Sequence, residues 1–434
     1  MLAYYFNLAL RSFRRNKVLT ALMVLAIAMG IGATMTTLTV FHVLSGDPIP
    51  AKSDRLFIVQ LDPEPAANYK PGEEPEEQLT RFDAEALLRQ GKAKRQALMT
   101  GGGTVVQTAG SSLKPFVIDT RWNSADFFPM FEVPFLYGNG WSAADDQAHA
   151  RVAVISRKLN DKLFGGADST GKTIRLGDHD FRIVGVADDW APQPHFYDLN
   201  VGSYGSDEQL FAPYSTAIEL KLWGNGTTNC FGKNPTNDPR DLNAPCVWTQ
   251  YWVELESPAQ ARDFKAYLDN YSREQKAAGR FQRDPNTRLR DVMQWLDYNH
   301  VVPGDVRLQL WLAFGFLVVC LLNTVGLLLA KFLRRSGEIG VRRALGAARS
   351  EIFKQCLVEA GAIGLAGAVL GLGVAELGLW AVRHRPTQYA ALAQLDGTML
   401  LLTFVLALLA SLLAGLLPAW RAMQITPAVQ LKTQ

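Results

Sequence analysis

The sequence predicts a membrane protein with four transmembrane α-helices and one large extracytoplasmic α+β domain inserted after the first of them. Three observations carry that reading. Four stretches are long, apolar and nearly free of charge, although 20% of the 434 residues are charged overall. The stretch between the first two has ordinary soluble composition. The basic residues gather in the segments at the other ends of the apolar runs.

The first run, Val18 to Val43, contains no Asp, Glu, Lys or Arg. The second is Leu308 to Ala330, the third Cys356 to Val382 with only Glu359 and Glu376 inside, and the fourth Met399 to Leu417. A helix needs about 20 apolar residues to cross the hydrocarbon core. One such run is compatible with a soluble core helix, but four are not. The expected spans are therefore 18–44, 306–331, 355–382 and 398–417. The first run has 26 residues, longer than the roughly 7–15 of a signal-peptide core. No small-residue cleavage site follows it, so an uncleaved helix is expected. Before it, Leu2, Tyr5, Phe6, Ala9, Leu10 and Phe13 share one helical face and Arg11, Arg14 and Arg15 the other. That pattern predicts an amphipathic interfacial helix over 1–17.

Orientation follows from the positive-inside rule. Segments 1–17, 331–354 and 418–434 carry thirteen basic residues against Glu338 and Glu351. The formal net charge is only +3, so the remainder is net negative. Both termini and the 332–354 loop are expected in the cytoplasm, and 45–305 outside the inner membrane of a bacterial cell. The short external loop 383–397, with Arg383 and Arg385, is the one mild exception. Two of the four cysteines, Cys230 and Cys246, fall in the outer domain, where an oxidising compartment favours a disulfide over two free thiols.

Within 45–305, strand-like runs at 56–59, 116–120, 152–155, 173–176, 181–186 and 251–255 alternate with helical ones. Thr80 is placed to cap a helix reaching Leu88. Ser257-Pro258 reads as a cap with proline at the first helical position. The stretches 62–78 and 224–246, rich in turn-forming residues, read as loop excursions. In the third membrane run Gly361, Gly364, Gly367 and Gly371 are spaced for close helix packing.

One motif invites a false reading. Gly166 to Thr173 matches GxxxxGK(S/T), with Gly166, Gly171, Lys172 and Thr173 at the fixed positions. A phosphate-binding loop needs a strand before it and a helix after it. Here the preceding residues look helical and the following ones look like a hairpin, so nucleotide binding is rejected. The six histidines are scattered, with no zinc spacing and no nucleophile elbow. The chain is expected to bind no metal, cofactor or nucleic acid, and to be no enzyme.

The segment RRSGEIGVRRALGAAR at 334–349, between the second and third apolar runs, resembles the signature loop of the MacB/FtsX-like permease family. Residues 138–186, with RVAVISRKLNDKLFGG and GKTIRLGDHDFRIVGV, are similar to the family's MacB-type core domain. LFAPYST at 210–216 and PAWRAMQITP at 418–427 also fit. The resemblance implies a permease subunit of an ABC-type export complex. It implies a dimer, with a second copy or a paralogue, and ATP with Mg bound on a cytoplasmic ABC ATPase. No fused ATPase domain is recognised, so the ATPase is expected on a separate polypeptide. A periplasmic adaptor and an outer-membrane channel are further partners found with such permeases. The 332–354 loop would couple the ATPase to the membrane through Glu338, Ile339, Gly340, Arg342, Arg343, Leu345 and Gly346. Ile339 and Leu345 would enter a groove on the partner, and the charged three would hydrogen-bond to it. Two other roles of the family stay open: an FtsX-like scaffold activating an external cell-wall hydrolase, and lipoprotein extraction.

Overall fold

A computed structural model describes residues 8, 12–13, 16–107, 114–205, 207–234, 236–385 and 389–425. Most of the expected interfacial helix 1–17 and the end of the tail, 426–434, lie outside the described residues. The chain divides into two compact units. One is Met1–Ser45 with Val302–Gln434, and the other is Gly46–Val301.

The first unit holds four helices long and apolar enough to cross a membrane: Lys17–Ser45, Gly304–Arg334, Arg349–Arg383 and Gly397–Met423. The third starts six residues before the expected 355, because the polar turn from Arg349 to Lys354 is already helical. The fourth runs on through Pro418, where the tail was expected to begin. Proline is tolerated within membrane helices when neighbours satisfy the freed backbone groups.

Small residues decide how these helices meet. Lipid gives no hydrophobic drive for helix association, so close packing and interhelical hydrogen bonds supply it. Gly367 and Gly371 of the third span face the first. A Cβ on Gly367 would stand 2.6 Å from Ile27 Cγ2, and one on Gly371 3.2 Å from the Ala28 carbonyl. Gly364 instead faces the fourth span, against Ser411 and the Ala407 carbonyl, and Gly361 meets Leu412 at an ordinary 3.6 Å. The glycine row thus serves two neighbours, three of its members at close quarters. Gly32 of the first span fits against Val374, and Gly415 of the fourth against Ala360. Hydroxyls add crossings: Thr34 Oγ1 donates to the Ala313 carbonyl of the second span at 3.2 Å, and Thr36 Oγ1 to Ala375 of the third at 3.3 Å.

The second unit is α+β. Its strands are β1 (Leu56–Gln60), β2 (Leu79–Thr80), β3 (Arg95–Gln107), β4 (Phe116–Asn123), β5 (Phe135–Gly138), β6 (Val152–Ser156), β7 (Thr173–Leu176), β8 (His179–Ala187), β9 (Leu210–Pro213), β10 (Asn229–Cys230), β11 (Cys246–Glu254) and β12 (Arg288–Asp291). The sheet runs β12-β1-β11-β3-β4-β9-β6-β8-β5. It is mixed: β4 pairs β9 and β6 pairs β8 in parallel, and the other neighbours on that path are antiparallel. Helix Arg81–Gln90 is capped by Thr80, whose hydroxyl accepts from the Asp83 amide, and helix Pro258–Ala277 by Ser257. The latter lays Phe264, Leu268 and Tyr271 into a core with Leu87, Leu98, Trp122, Ile155, Ile183 and Tyr251.

The long strand β3 escapes the sequence reading because Gly101, Gly102 and Gly103 look like a turn. They are small because side chains cross them, Asn225 over Gly101 and indoles over the other two. A Cβ on Gly102 would sit 2.5 Å from Trp122 Cε2, and one on Gly103 2.6 Å from Trp223 Cζ3. The two expected excursions are tied down. The buried guanidinium of Arg283 holds Asp62 at 3.2 Å and Glu64 at 2.8 Å, and Arg290 holds Glu74 at 2.7 Å. The second loop is closed by a disulfide between Cys230 and Cys246, and Arg81 donates to the Arg240 carbonyl at 3.0 Å.

Gly367→Leu is expected to lower the unfolding free energy of the detergent-solubilised chain by about 1–3 kcal/mol through overpacking. Gly373, with open space around it, is the control. Matched thermal melts of Gly367→Leu and Gly373→Leu that coincide would refute the close approach of the first and third spans.

Candidate functional site

Between the second and third spans the expected loop is mostly a helix, Ser336–Ala344. It ends in a turn through Leu345 and Gly346, where φ is +102° and glycine carries no steric penalty. Gly340 makes no turn. It is helical and buried.

Helical spacing separates the two apolar residues expected to reach a partner. Positions 339 and 345 are six apart, which turns them about 240° around the axis. Ile339 is 8% exposed and packs with Phe332, Ile352 and Cys356. Leu345 is 84% exposed and Val341, one turn before it, 55%. The outward apolar pair is therefore Val341 and Leu345, and Ile339 belongs to the chain's own core. The three charged residues are also held within the chain. Glu338 Oε1 accepts from Arg342 at 2.9 Å and pairs with Arg335 at 3.3 Å. Arg342 donates to Gln355 at 3.1 Å. Arg343 donates to the Ile425 carbonyl at 2.6 Å and to Met423 at 3.3 Å. It thereby satisfies carbonyls that the fourth span's C-terminus leaves unpaired, where a cation is also favoured by the helix dipole.

The centre of the hairpin's support is Glu359. Its side chain is 3% exposed and sits on the third span. Oε1 faces the Lys331 ammonium at 2.7 Å, and the lysine side chain is fully buried. Oε2 faces the Arg335 guanidinium at 3.0 Å. Ser12 donates to the same carboxylate, and Lys331 also reaches Thr20 Oγ1 at 3.3 Å. One carboxylate thus joins the first span, the end of the second, the short helix and the third. Sequence reading notes Glu359 only as a charge near a span's end. An acid within an apolar run, with a lysine closing the preceding run, was the available signal.

The phosphate-loop lookalike has helix Arg157–Phe164 before it and β7 after it. The Gly171 amide donates to the Ile183 carbonyl at 2.8 Å and the Lys172 amide to Ser169 at 3.1 Å, so these donors are not free for phosphate. Lys172 Nζ lies over the Phe164 ring, 4.9 Å from its centroid. Thr173 opens the strand, and Gly166 is a turn residue at φ +83°. Among the described residues no cluster of three His, Cys, Asp or Glu could hold a metal.

Four spans, a large mixed domain after the first and a basic hairpin between the second and third define a multi-pass transporter permease. The family model for the MacB-like periplasmic core domain matches residues 20–271, and that for the FtsX-like permease C-terminal region matches 310–427. The chain belongs to the MacB/FtsX-like permease family of ABC transporters, and is a multi-pass inner-membrane protein with a periplasmic domain. It is 27% identical over 449 residues to the macrolide export ATP-binding/permease protein MacB of Rhodospirillum rubrum, covering 99% of this chain and 60% of the relative. It is 25% identical over 430 residues to the pyoverdine export ATP-binding/permease protein PvdT of Pseudomonas aeruginosa, covering 96% and 57%. The chain thus spans less than two thirds of the length of these curated relatives. The periplasmic region of MacB from Actinobacillus actinomycetemcomitans aligns over 59% of this chain and 97% of that one, with 13% identity and a TM-score of 0.37.

Glu359→Gln is expected to leave Lys331 buried without its counter-ion and to destabilise the chain by about 3–5 kcal/mol. The double variant Lys331→Met with Glu359→Leu should recover most of that loss, since Arg335 keeps Glu338. Denaturant unfolding in detergent measures both. Equal losses in the single and double variants would show that the ion pair is not what the bundle depends on.

Proposed function

We propose that this chain is the permease of an ABC-type export complex, driven by a cytoplasmic ATPase that docks on the hairpin between the second and third spans. The observation that carries the reading is the division of that hairpin into an anchored face and a bare one. Val341 and Leu345 are exposed on a short helix whose other side is fastened by Ile339, Glu338, Arg342 and Arg343. An apolar pair on a rigid mount suits insertion into a partner's groove, because little ordering entropy is lost on docking. Push on the helix would reach the first and third spans through Glu359 and Lys331, and from there the periplasmic domain that handles the substrate. ATP and Mg would be bound and hydrolysed on the ATPase, and a second copy or paralogue would complete the complex. The docking surface is the same whether the ATPase lies on this polypeptide or another.

The basic segments support an orientation with both termini and the hairpin in the cytoplasm. In intact cells, cysteine placed at the exposed Ser350 should react with an impermeant maleimide only after the membrane is opened, and cysteine at the exposed Lys92 before it. The opposite pattern would reverse the topology.

Leu345→Glu should cut the ABC ATPase retained by the purified permease at least tenfold, with the melting temperature unchanged. Retention at the original level would remove the docking role. Recovery of a cell-wall hydrolase or of a lipidated protein as the stoichiometric partner would redirect the reading to a regulatory scaffold or to lipoprotein extraction.

A further inference from the structure

The periplasmic domain contains a cavity of about 420 Å³ between helix Arg81–Gln90, helix Tyr214–Glu219 and the end of helix Ala143–Gln147 with the turn after it. Its volume lies at the low end of the roughly 300–1,000 Å³ of ligand pockets. It has room for a compact molecule and not for a polymer. Much of its wall is apolar, from Leu88, Leu98, Ile218 and the Tyr214 ring.

The charges around it are not all matched. Glu85 is held by Arg81 at 2.7 Å and by Arg89 at 3.5 Å, and Glu219 by His149. Asp146 is different. Its Oδ1 accepts from the Trp141 indole at 2.9 Å and its Oδ2 from the Ala125 amide at 2.7 Å. Among the described residues no Lys, Arg or His lies within ion-pair distance of it. Two donors fix the carboxyl in place without neutralising it, and an ionised carboxylate has about four acceptor sites. Behind the wall, the Tyr214 hydroxyl is buried and has no hydrogen-bond partner, while its ring lines the cavity. Buried polar groups normally have partners, and a native exception calls for a cause.

We propose that this cavity binds a compact organic cation, a protonated amine on an apolar body, with Asp146 as its counter-ion and the Tyr214 ring as part of the apolar wall. The amine supplies what Asp146 lacks, and the body covers Leu88, Leu98 and Ile218. The electrostatics agree. Burial pushes the Asp146 carboxyl up to about 6, against the pull of the Ala125 and Trp141 hydrogen bonds and with Asp126 and Asp145 adding to the rise. A neighbouring cation would relieve that position. The site lies wholly in the periplasmic domain and stands independently of the ATPase reading.

Three probes share one body and differ in charge: tryptamine, indole-3-ethanol and indole-3-acetate. Each is titrated by calorimetry into the full chain in lipid nanodiscs, with empty nanodiscs subtracted. Tryptamine should bind at least tenfold more tightly than the alcohol, and the acetate weakest. Asp146→Asn should abolish the preference for the amine while still binding the alcohol, which also reports that the domain is folded. Ile218→Trp, filling the cavity from a partly exposed wall position, should weaken tryptamine and the alcohol alike. Equal binding of amine and alcohol by the unaltered chain, binding of none, or an amine preference that survives Asp146→Asn overturns the proposal.

Discussion

A single buried carboxylate organises the membrane unit. Glu359 lies where water is scarce, so its charge is tolerable only with cations in contact. Lys331 and Arg335 supply them at 2.7 and 3.0 Å. The acid could not leave without stranding a fully buried lysine. Such a pair adds little net stability compared with apolar packing, but breaking it on one side is costly. Its consequence is geometric. The end of the second span, the start of the third and the helix between them must keep one arrangement. The outward face of that helix inherits the arrangement, so Val341 and Leu345 are presented on a fixed mount.

Glycine does the complementary work deeper in the bundle. A carboxylate fixes one end of the helices, but it does not bring their backbones together along their length. Gly32, Gly367 and Gly371 do so for the first and third spans, and Gly364 and Gly415 for the third and fourth. Contacts at this range leave no room for a side chain, and interiors packed this densely respond to displacement in steps and not continuously. Ion network and glycine contacts together describe a bundle whose spans are tied both at one end and along their length.

The periplasmic domain shows why its sequence is only partly legible. Strands with clear alternation, such as β7 and β8, and helices with a capping residue, such as those after Thr80 and Ser257, are visible locally because their causes are local. Strand β3 is not, since Gly101 to Gly103 are explained only by side chains that other segments bring over them, Asn225, Trp122 and Trp223. The loops at 62–78 and 224–246 read as free for the same reason. Their side-chain anchors, Arg283 and Arg290 on the first and Arg81 on the second, come from distant positions, and of the ties only the disulfide is legible in the sequence. Asp146 likewise looks like one surface acid among many until Trp141, Ala125 and the helix Tyr214–Glu219 surround it.

The four apolar runs determined the spans without help, because membrane insertion depends on length and charge along the chain. Local pattern also rejected the phosphate-loop lookalike, since strand and helix order is a sequential property. The family motif at 334–349 marked the hairpin as the place to look. What each of its residues does was decided by tertiary structure alone. Ile339 turns inward, Leu345 stays outside, Glu338 and the arginines are bound within the chain, and Glu359, thirteen residues past Gly346, holds Lys331 and Arg335 at the helix's start. The reason is physical: a helix face and a buried charge are defined by what packs against them, and those neighbours come from spans hundreds of residues apart.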